Sequence, residues 1–429
     1  MSAADRPTTT ALGRVLNWGS DRTWLAAGLA LRAVFALRLG ERLYQTDEAG
    51  FVAAARQWAS SGIVGVEGRA AVLPPVPSVF FGTFFKLGPS LLWPRLGQAA
   101  AGALAAWMIG RSAGALTGSP KAGRAALILA CVYPFFIYYS GMLMSETLYT
   151  TLIVAGLWAL CASLAEDGRR TWPAAAAGFL LGAAALCRAE GAPIFAVIWL
   201  AALGVCAAGR WRWRALLAAV ACWALVLGLW AARNRAVSGR FSLDNHGGLA
   251  LLHGTMLFDL NEIDTEVAME EFSRTPLYKD SLALDDGQRD RLYLRTGLRF
   301  MADHPARTAR QWARKFVNFW RFTPRADKAY AENAVSRPEA GFGRGALVAI
   351  SLLFEPALIL GGLCGLWTLR RRWATLFPQA LFLLGTMGVH MISVSQMRYR
   401  LPVMPVLILG AASLWARSGP GGEVRAQRP

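Results

Sequence analysis

Apolar stretches long enough to cross a bilayer recur from one end of this chain to the other, and that recurrence constrains its fold more than any single residue does. A spanning helix takes about 20 predominantly apolar residues. Runs of that kind place expected spans at about 23–40, 92–116, 123–141, 146–165, 172–188, 192–208, 214–233, 346–368, 374–394 and 401–416. The expected fold class is an all-α polytopic membrane protein with about ten transmembrane helices, helices lying in the outer interface and a small extracytoplasmic subdomain. A length of 429 residues would otherwise suggest two or three soluble domains, but a hydrophobic content of 55% overrules that reading.

Charge fixes the orientation. A net charge of +18 would suggest nucleic acid in a soluble chain. Here the arginines cluster in short loops between spans: Arg111 to Arg124, Arg169-Arg170, Arg210 to Arg214, Arg370-Arg371-Arg372, and the tail with Arg417, Arg425 and Arg428. Cytoplasmic loops carry such an excess, so both chain ends are expected inside and no nucleic-acid partner is. The organisation that follows is a cytoplasmic N-terminus (1–22), spans one to seven (23–233) with a first outer loop (41–91), an extracytoplasmic subdomain (234–345), spans eight to ten (346–416) and a cytoplasmic tail (417–429). Met1 to Arg22 lacks the apolar core of a signal peptide, so the first span is expected to be retained. The six cysteines lie in or at the ends of apolar runs without metal-ligand spacing and read as small buried hydrophobes.

This topology gathers the unusual polar residues on the outer side. Asp47 and Glu48 follow Thr46, a natural N-cap, and are expected in the first turn of a short helix. Phe51, Val52, Ala55 and Trp58 continue it as an amphipathic interfacial helix, and Pro74-Pro75-Val76-Pro77 ends that stretch. Ser145-Glu146 repeats the pairing of a hydroxyl with an acid at a helix start. A cation or acceptor site shared by the two acids and routine helix capping are both open readings. Arg188 and Glu190 interrupt apolar sequence at a break marked by Gly191 and Pro193, and their spacing predicts separate partners. Arg398 and Arg400 precede Pro402 on the outer side, against the usual charge bias, which favours anion binding. The helix expected over 306–321 carries Trp312, Phe316, Phe319 and Trp320 with Arg307, Arg310, Arg314 and Lys315 around them. It suits either an anionic membrane surface or packing on the bundle. No phosphate-binding Gly-rich loop, Asp-x-Asp pair or metal-spaced His/Cys cluster occurs.

In order along the chain, Asp47-Glu48, Leu73-Pro74-Pro75-Val76-Pro77, Ser145-Glu146-Thr147-Leu148, Arg233 to Phe241 with Gly247-Gly248, and Arg398-Tyr399-Arg400-Leu401-Pro402 form a series. That series resembles the motifs of the GT-C glycosyltransferases, family 39 and its bacterial relatives: protein O-mannosyltransferases, lipid A aminoarabinose transferases and the galacturonosyltransferase-like group. The resemblance implies a multi-pass protein of the bacterial inner membrane. It would transfer a sugar, with inversion, from a polyprenyl-phosphate donor to a lipid, glycan or protein acceptor on the periplasmic face. Asp47 would be the general base, with Glu48 beside it, or Asp47 would hold a divalent cation (Mg or Mn) together with Glu48 or Glu146. Arg398, Arg400 or Arg188 would hold the donor phosphate. Gly50 and Leu73 stand where some relatives carry a basic residue, which adds Arg69 and Lys86 to the phosphate candidates. The competing class is a transporter or flippase of a lipid-linked sugar or an anion, which predicts polar residues at mid-membrane depth and two related halves.

Overall fold

A computed structural model describes residues 19–65, 74–244, 246–260, 265–323 and 344–415, and every regular element among these is helical. The main bundle is built from α1 (Asp21–Leu39), α4 (Leu92–Thr117), α5 (Pro120–Val132), α6 (Pro134–Gly141), α7 (Glu146–Ala165), α8 (Trp172–Ala185), α9 (Gly191–Ala207) and α10 (Trp213–Ser238). It is completed by α17 (Arg344–Thr368), α18 (Trp373–Ile392) and α19 (Met404–Trp415). The first loop contributes α2 (Thr46–Ser61) and α3 (Pro75–Phe85). The segment after α10 forms α11 (Gly247–Gly254), α12 (Met256–Leu260), α13 (Thr265–Ser273), α14 (Pro276–Ser281), α15 (Asp286–Asp303) and α16 (Pro305–Trp320).

The protein is an all-α polytopic membrane protein. Among the described residues, four stretches are long and apolar enough to cross a bilayer: Glu146–Ala165, Trp213–Val237, Val348–Thr368 and Arg370–Ile392. The bent pair α5 and α6, which turns by 49° at its break, makes a fifth if the two are one broken span. Of the other sequence-expected spans, α8, α9 and α19 are shorter in the described residues, and α1 carries Arg22, Arg32 and Arg38. Large apolar side chains such as Leu217, Leu229, Leu353 and Trp367 remain more than 60% exposed on the outside of the bundle, where lipid would cover them.

The bend between α5 and α6 has a chemical cause. Pro134 has no N–H to donate to the carbonyl of Ala130, one helical turn earlier. Arg32 of α1, fully buried, supplies the donors instead: Nη2 to Ala130 O at 2.9 Å and Nη1 to Cys131 O at 3.0 Å. A guanidinium inside the bundle thereby satisfies carbonyls left open by a broken helix. Elsewhere the helices approach through glycine. A Cβ at Gly178 would run into the Ala219 backbone of α10, and one at Gly365 into the Gly410 carbonyl of α19.

The segment after α10 forms a subdomain with its own small core of Leu252, Leu257, Phe272 and Tyr293, in which Ser281 and Tyr293 share a hydrogen bond of 2.6 Å. The Arg233-Asn234 motif closes the entry to this subdomain: Asn234 Nδ2 donates to Ser242 O at 2.8 Å, and Arg233 Nη2 to Val64 O at 2.9 Å. The basic helix expected over 306–321 spans Pro305–Trp320, and it buries Lys315 along with Phe319. Lys315 donates to the carbonyls of Gly254 and Ile392, so α16 clamps the ends of α11 and α18 together. The helix packs on the bundle through this face, and Lys315 leaves the basic outer face because broken helix ends offer it carbonyl acceptors.

Candidate active site at one end of the bundle

Helix α2 starts at Thr46, which places Asp47 and Glu48 in its first turn as expected, although the cap position falls one residue earlier, on Gln45. Glu48 does the capping itself: its Oε2 accepts the N–H groups of Tyr44 at 2.7 Å and Gln45 at 2.8 Å. Its Oε1 accepts Leu143 N–H at 2.8 Å and lies 3.7 Å from Arg95 Nη2, with both side chains fully buried. Glu48 thus joins the first loop to the α6–α7 turn. Asp47, on the next residue around the helix, is half exposed at 47% and accepts a hydrogen bond from Arg398 Nη1 at 2.8 Å.

Glu146 opens α7 and is buried. Its Oε1 accepts Arg188 Nη1 at 3.2 Å. Ser145 does not cap the helix; its hydroxyl accepts from Arg188 Nη1 at 3.3 Å. Arg188 and Glu190 do meet, Nε to Oε1 at 2.9 Å, contrary to the separate partners that helical spacing predicts. The reason is that residues 186–190 form the turn between α8 and α9, where i and i+2 can face each other. His390, near the end of α18, reaches Glu190 Oε1 from 3.5 Å and stacks on Tyr399 with ring centroids 4.5 Å apart and planes 2° from parallel. Both Arg188 and Arg398 lie over the Tyr399 ring, at 5.2 Å and 5.1 Å.

One cluster therefore draws on the starts of α2 and α7, the α8–α9 turn, the end of α18 and the 3-10 helix Met397–Val403. Its charges are interlocked. Burial opposes the Arg188 charge, but Glu190 and Glu146 outweigh that and hold the guanidinium above its ordinary pKa. Burial likewise disfavours charge on Glu190, yet Arg188 and then His390 hold its carboxyl below the usual carboxylate range. Arg398 is kept charged against burial by Tyr399, Asp47 and Glu146, which places both acids within electrostatic reach of one guanidinium. Four polar atoms in or beside this cluster are buried and have no hydrogen-bond partner among the described residues: Glu146 Oε2, Arg398 Nε, the Tyr149 hydroxyl and His390 Nε2.

Arg400 stands apart. It is buried, donating to Phe319 O and Arg321 O at 2.9 Å and pairing with Glu355, whose other oxygen accepts the Tyr133 hydroxyl. It ties the last helix to α16 and α17. Lys86 lies over the Trp58 ring at 4.3 Å, and Arg69 falls outside the described residues. Arg32 and Arg95 were not singled out from sequence. Arg95 donates to Gly141 O at 2.9 Å, as well as to Gly40 O and Arg42 O, so it holds the loop that carries Asp47. An arginine inside a long apolar helix was the available signal.

The acids of this cluster are held by arginines. Asp47 is engaged by Arg398, Glu146 by Arg188, and no three His, Cys, Asp or Glu side chains converge among the described residues. What the cluster offers is one accessible carboxylate beside two guanidinium groups, an arrangement able to accept a proton and to hold a phosphate.

No protein-family model and no curated protein matches the chain. Solved structures do. The crystal structure of the Archaeoglobus fulgidus oligosaccharyltransferase in its apo form aligns with a TM-score of 0.52 at 14% identity, over 92% of this chain and 50% of that one. The chain shares the fold of that membrane protein. The archaeal oligosaccharyltransferase solved with an inhibitory peptide and a dolichol-phosphate gives a TM-score of 0.48 at 13% identity, over 92% and 50%. This chain spans about half the length of the solved structures it matches.

Proposed function

We propose that this protein is a family 39-like membrane glycosyltransferase that moves a sugar from a polyprenyl-phosphate donor to a lipid, glycan or protein acceptor on the outer face of a bacterial inner membrane. The observation that carries this reading is the group of buried, unpartnered polar atoms beside Asp47 and the Arg188–Arg398 pair. An unsatisfied buried polar group costs about 1–3 kcal/mol, so several together favour a ligand that satisfies them. In this reading the acceptor hydroxyl or amine attacks the anomeric carbon as the carbon–oxygen bond to phosphate breaks. Asp47 takes the acceptor proton. The bond's electron pair leaves with the lipid phosphate, whose charge Arg398 and Arg188 hold. Attack from the face opposite the leaving group inverts the centre. Glu48 and Arg400 act as scaffold, the first holding the Asp47 turn and the second the turn that carries Arg398.

The test is incubation of the purified protein with labelled polyprenyl-phosphate sugars and a panel of envelope acceptors. Asp47→Asn should lower transfer by about 10²-fold or more, the scale of a lost general base, without changing melting temperature. Because the two guanidinium groups supply the positive charge, transfer should survive EDTA. Loss on chelation with recovery in Mg2+ or Mn2+ would instead put a cation between Asp47 and Glu146. Movement of the labelled lipid across proteoliposomes with no transfer to any acceptor would favour the transporter.

A further inference from the structure

At the far end of α7 from Glu146 lies a second site of different character. Cys161 and Ala162 sit some four turns along the helix, about 22 Å away at 1.5 Å per residue. There the ends of α4 and α7 and the start of α18 enclose a cavity of about 400 Å3. That size is within the range of small-molecule sites, about 300–1,000 Å3. Leu116, Trp158 and Ala162 give it apolar walls, while Arg210, Arg371 and Arg372 supply the charge. No acidic side chain lines it among the described residues. Arg372 is anchored on Leu116 O, and Arg210 lies over the Trp373 ring at 5.3 Å. Arg371 is exposed and has no hydrogen-bond or ion-pair partner among the described residues.

We propose that this cavity binds an anionic phospholipid of the adjacent leaflet, its phosphate on Arg371 with Arg210 and Arg372, and part of an acyl chain along Leu116, Trp158 and Ala162. Charge complementarity selects the headgroup, because three guanidinium groups converge without a counter-charge. The apolar walls select an amphiphile over a free anion, which would leave them uncovered. The assignment is independent of the chemistry at Asp47, since the two sites share α7 but no side chain.

The experiment is native mass spectrometry of the detergent-purified full chain with phosphatidylglycerol, phosphatidylcholine or inorganic phosphate, alongside melting temperatures. Phosphatidylglycerol should be retained preferentially and raise the melting temperature, with phosphate alone doing neither. Arg371→Ala should weaken retention roughly fivefold, the contribution of one guanidinium at an anionic lipid surface. Ala162→Phe, which fills the cavity without touching charge, should weaken it too. Arg111→Ala, an exposed arginine of α4 that does not line the cavity, should leave it unchanged. Equal retention of the two lipids, or indifference to both cavity variants, overturns the site. An equal loss in Arg111→Ala would reduce it to general surface charge.

Discussion

Arg398 and Arg400 occupy the same 3-10 helix, yet their surroundings differ in kind. Arg398 reaches a half-exposed acid and keeps a buried, unpartnered Nε, while Arg400 is enclosed by backbone carbonyls and Glu355. Removing one member of a buried ion pair commonly costs about 3–5 kcal/mol. Arg400→Ala should therefore lower the melting temperature sharply, and Arg398→Lys should melt normally while using the donor less well, because an amine loses the guanidinium fork. Early melting of Arg398→Lys with normal donor use would reverse the two assignments. Glu190 gives a pH signature. Its carboxyl is held below the ordinary value of 4.5, so its stabilising contribution is complete above that value and is lost as pH falls through the lowered one. Below about pH 4.5 the melting temperature of the wild type should fall more steeply than that of Glu190→Gln. Parallel curves would mean that the Arg188–Glu190–His390 contacts add little to stability.

Among the elements, the α17–α19 pair depends on backbone contact. Gly362 packs on Leu407 of α19, and a Cβ at Gly365 or Gly410 would collide with the facing backbone. Gly365→Ala should push the two helices apart and, because α19 follows directly on the turn that holds Arg398 and Arg400, reduce both stability and any transfer activity. Gly204→Ala on α9, where nothing lies within 4 Å of the added atom, is the matched control and should be neutral. If both variants behave like the wild type, close helix approach is not what fixes that turn. The start of α7 at Glu146 coincides with the boundary read from sequence, since an acid after a hydroxyl at the edge of an apolar run is a local signal. The bend at Pro134 was not read. Proline marks the break, but only Arg32 packed from another helix shows how the freed carbonyls are satisfied.

For the whole molecule, orientation follows from charge. Reporter tags at residues 120, 168, 211 and 371 should report the cytoplasm, and tags at 65, 280 and 396 the outside. A cytoplasmic signal at 65 or 396 would separate the Asp47 and Arg398 faces that the structure joins.

Local sequence determined the helical class, the first-turn place of Asp47, the helix start at Glu146 and the uneven spread of arginine, because a bilayer imposes length and charge rules that act on each segment by itself. The pairing of residues was decided only in three dimensions. Asp47 and Arg398 lie 351 positions apart, and nothing near either one distinguishes that contact from the backbone and Glu355 contacts that Arg400 makes two residues later. Glu48 sits beside Asp47 in sequence, but the helix turns it inward onto backbone amides and leaves its neighbour facing out. Direction around a helix and the partners waiting there belong to packing, and packing is set by all the helices at once.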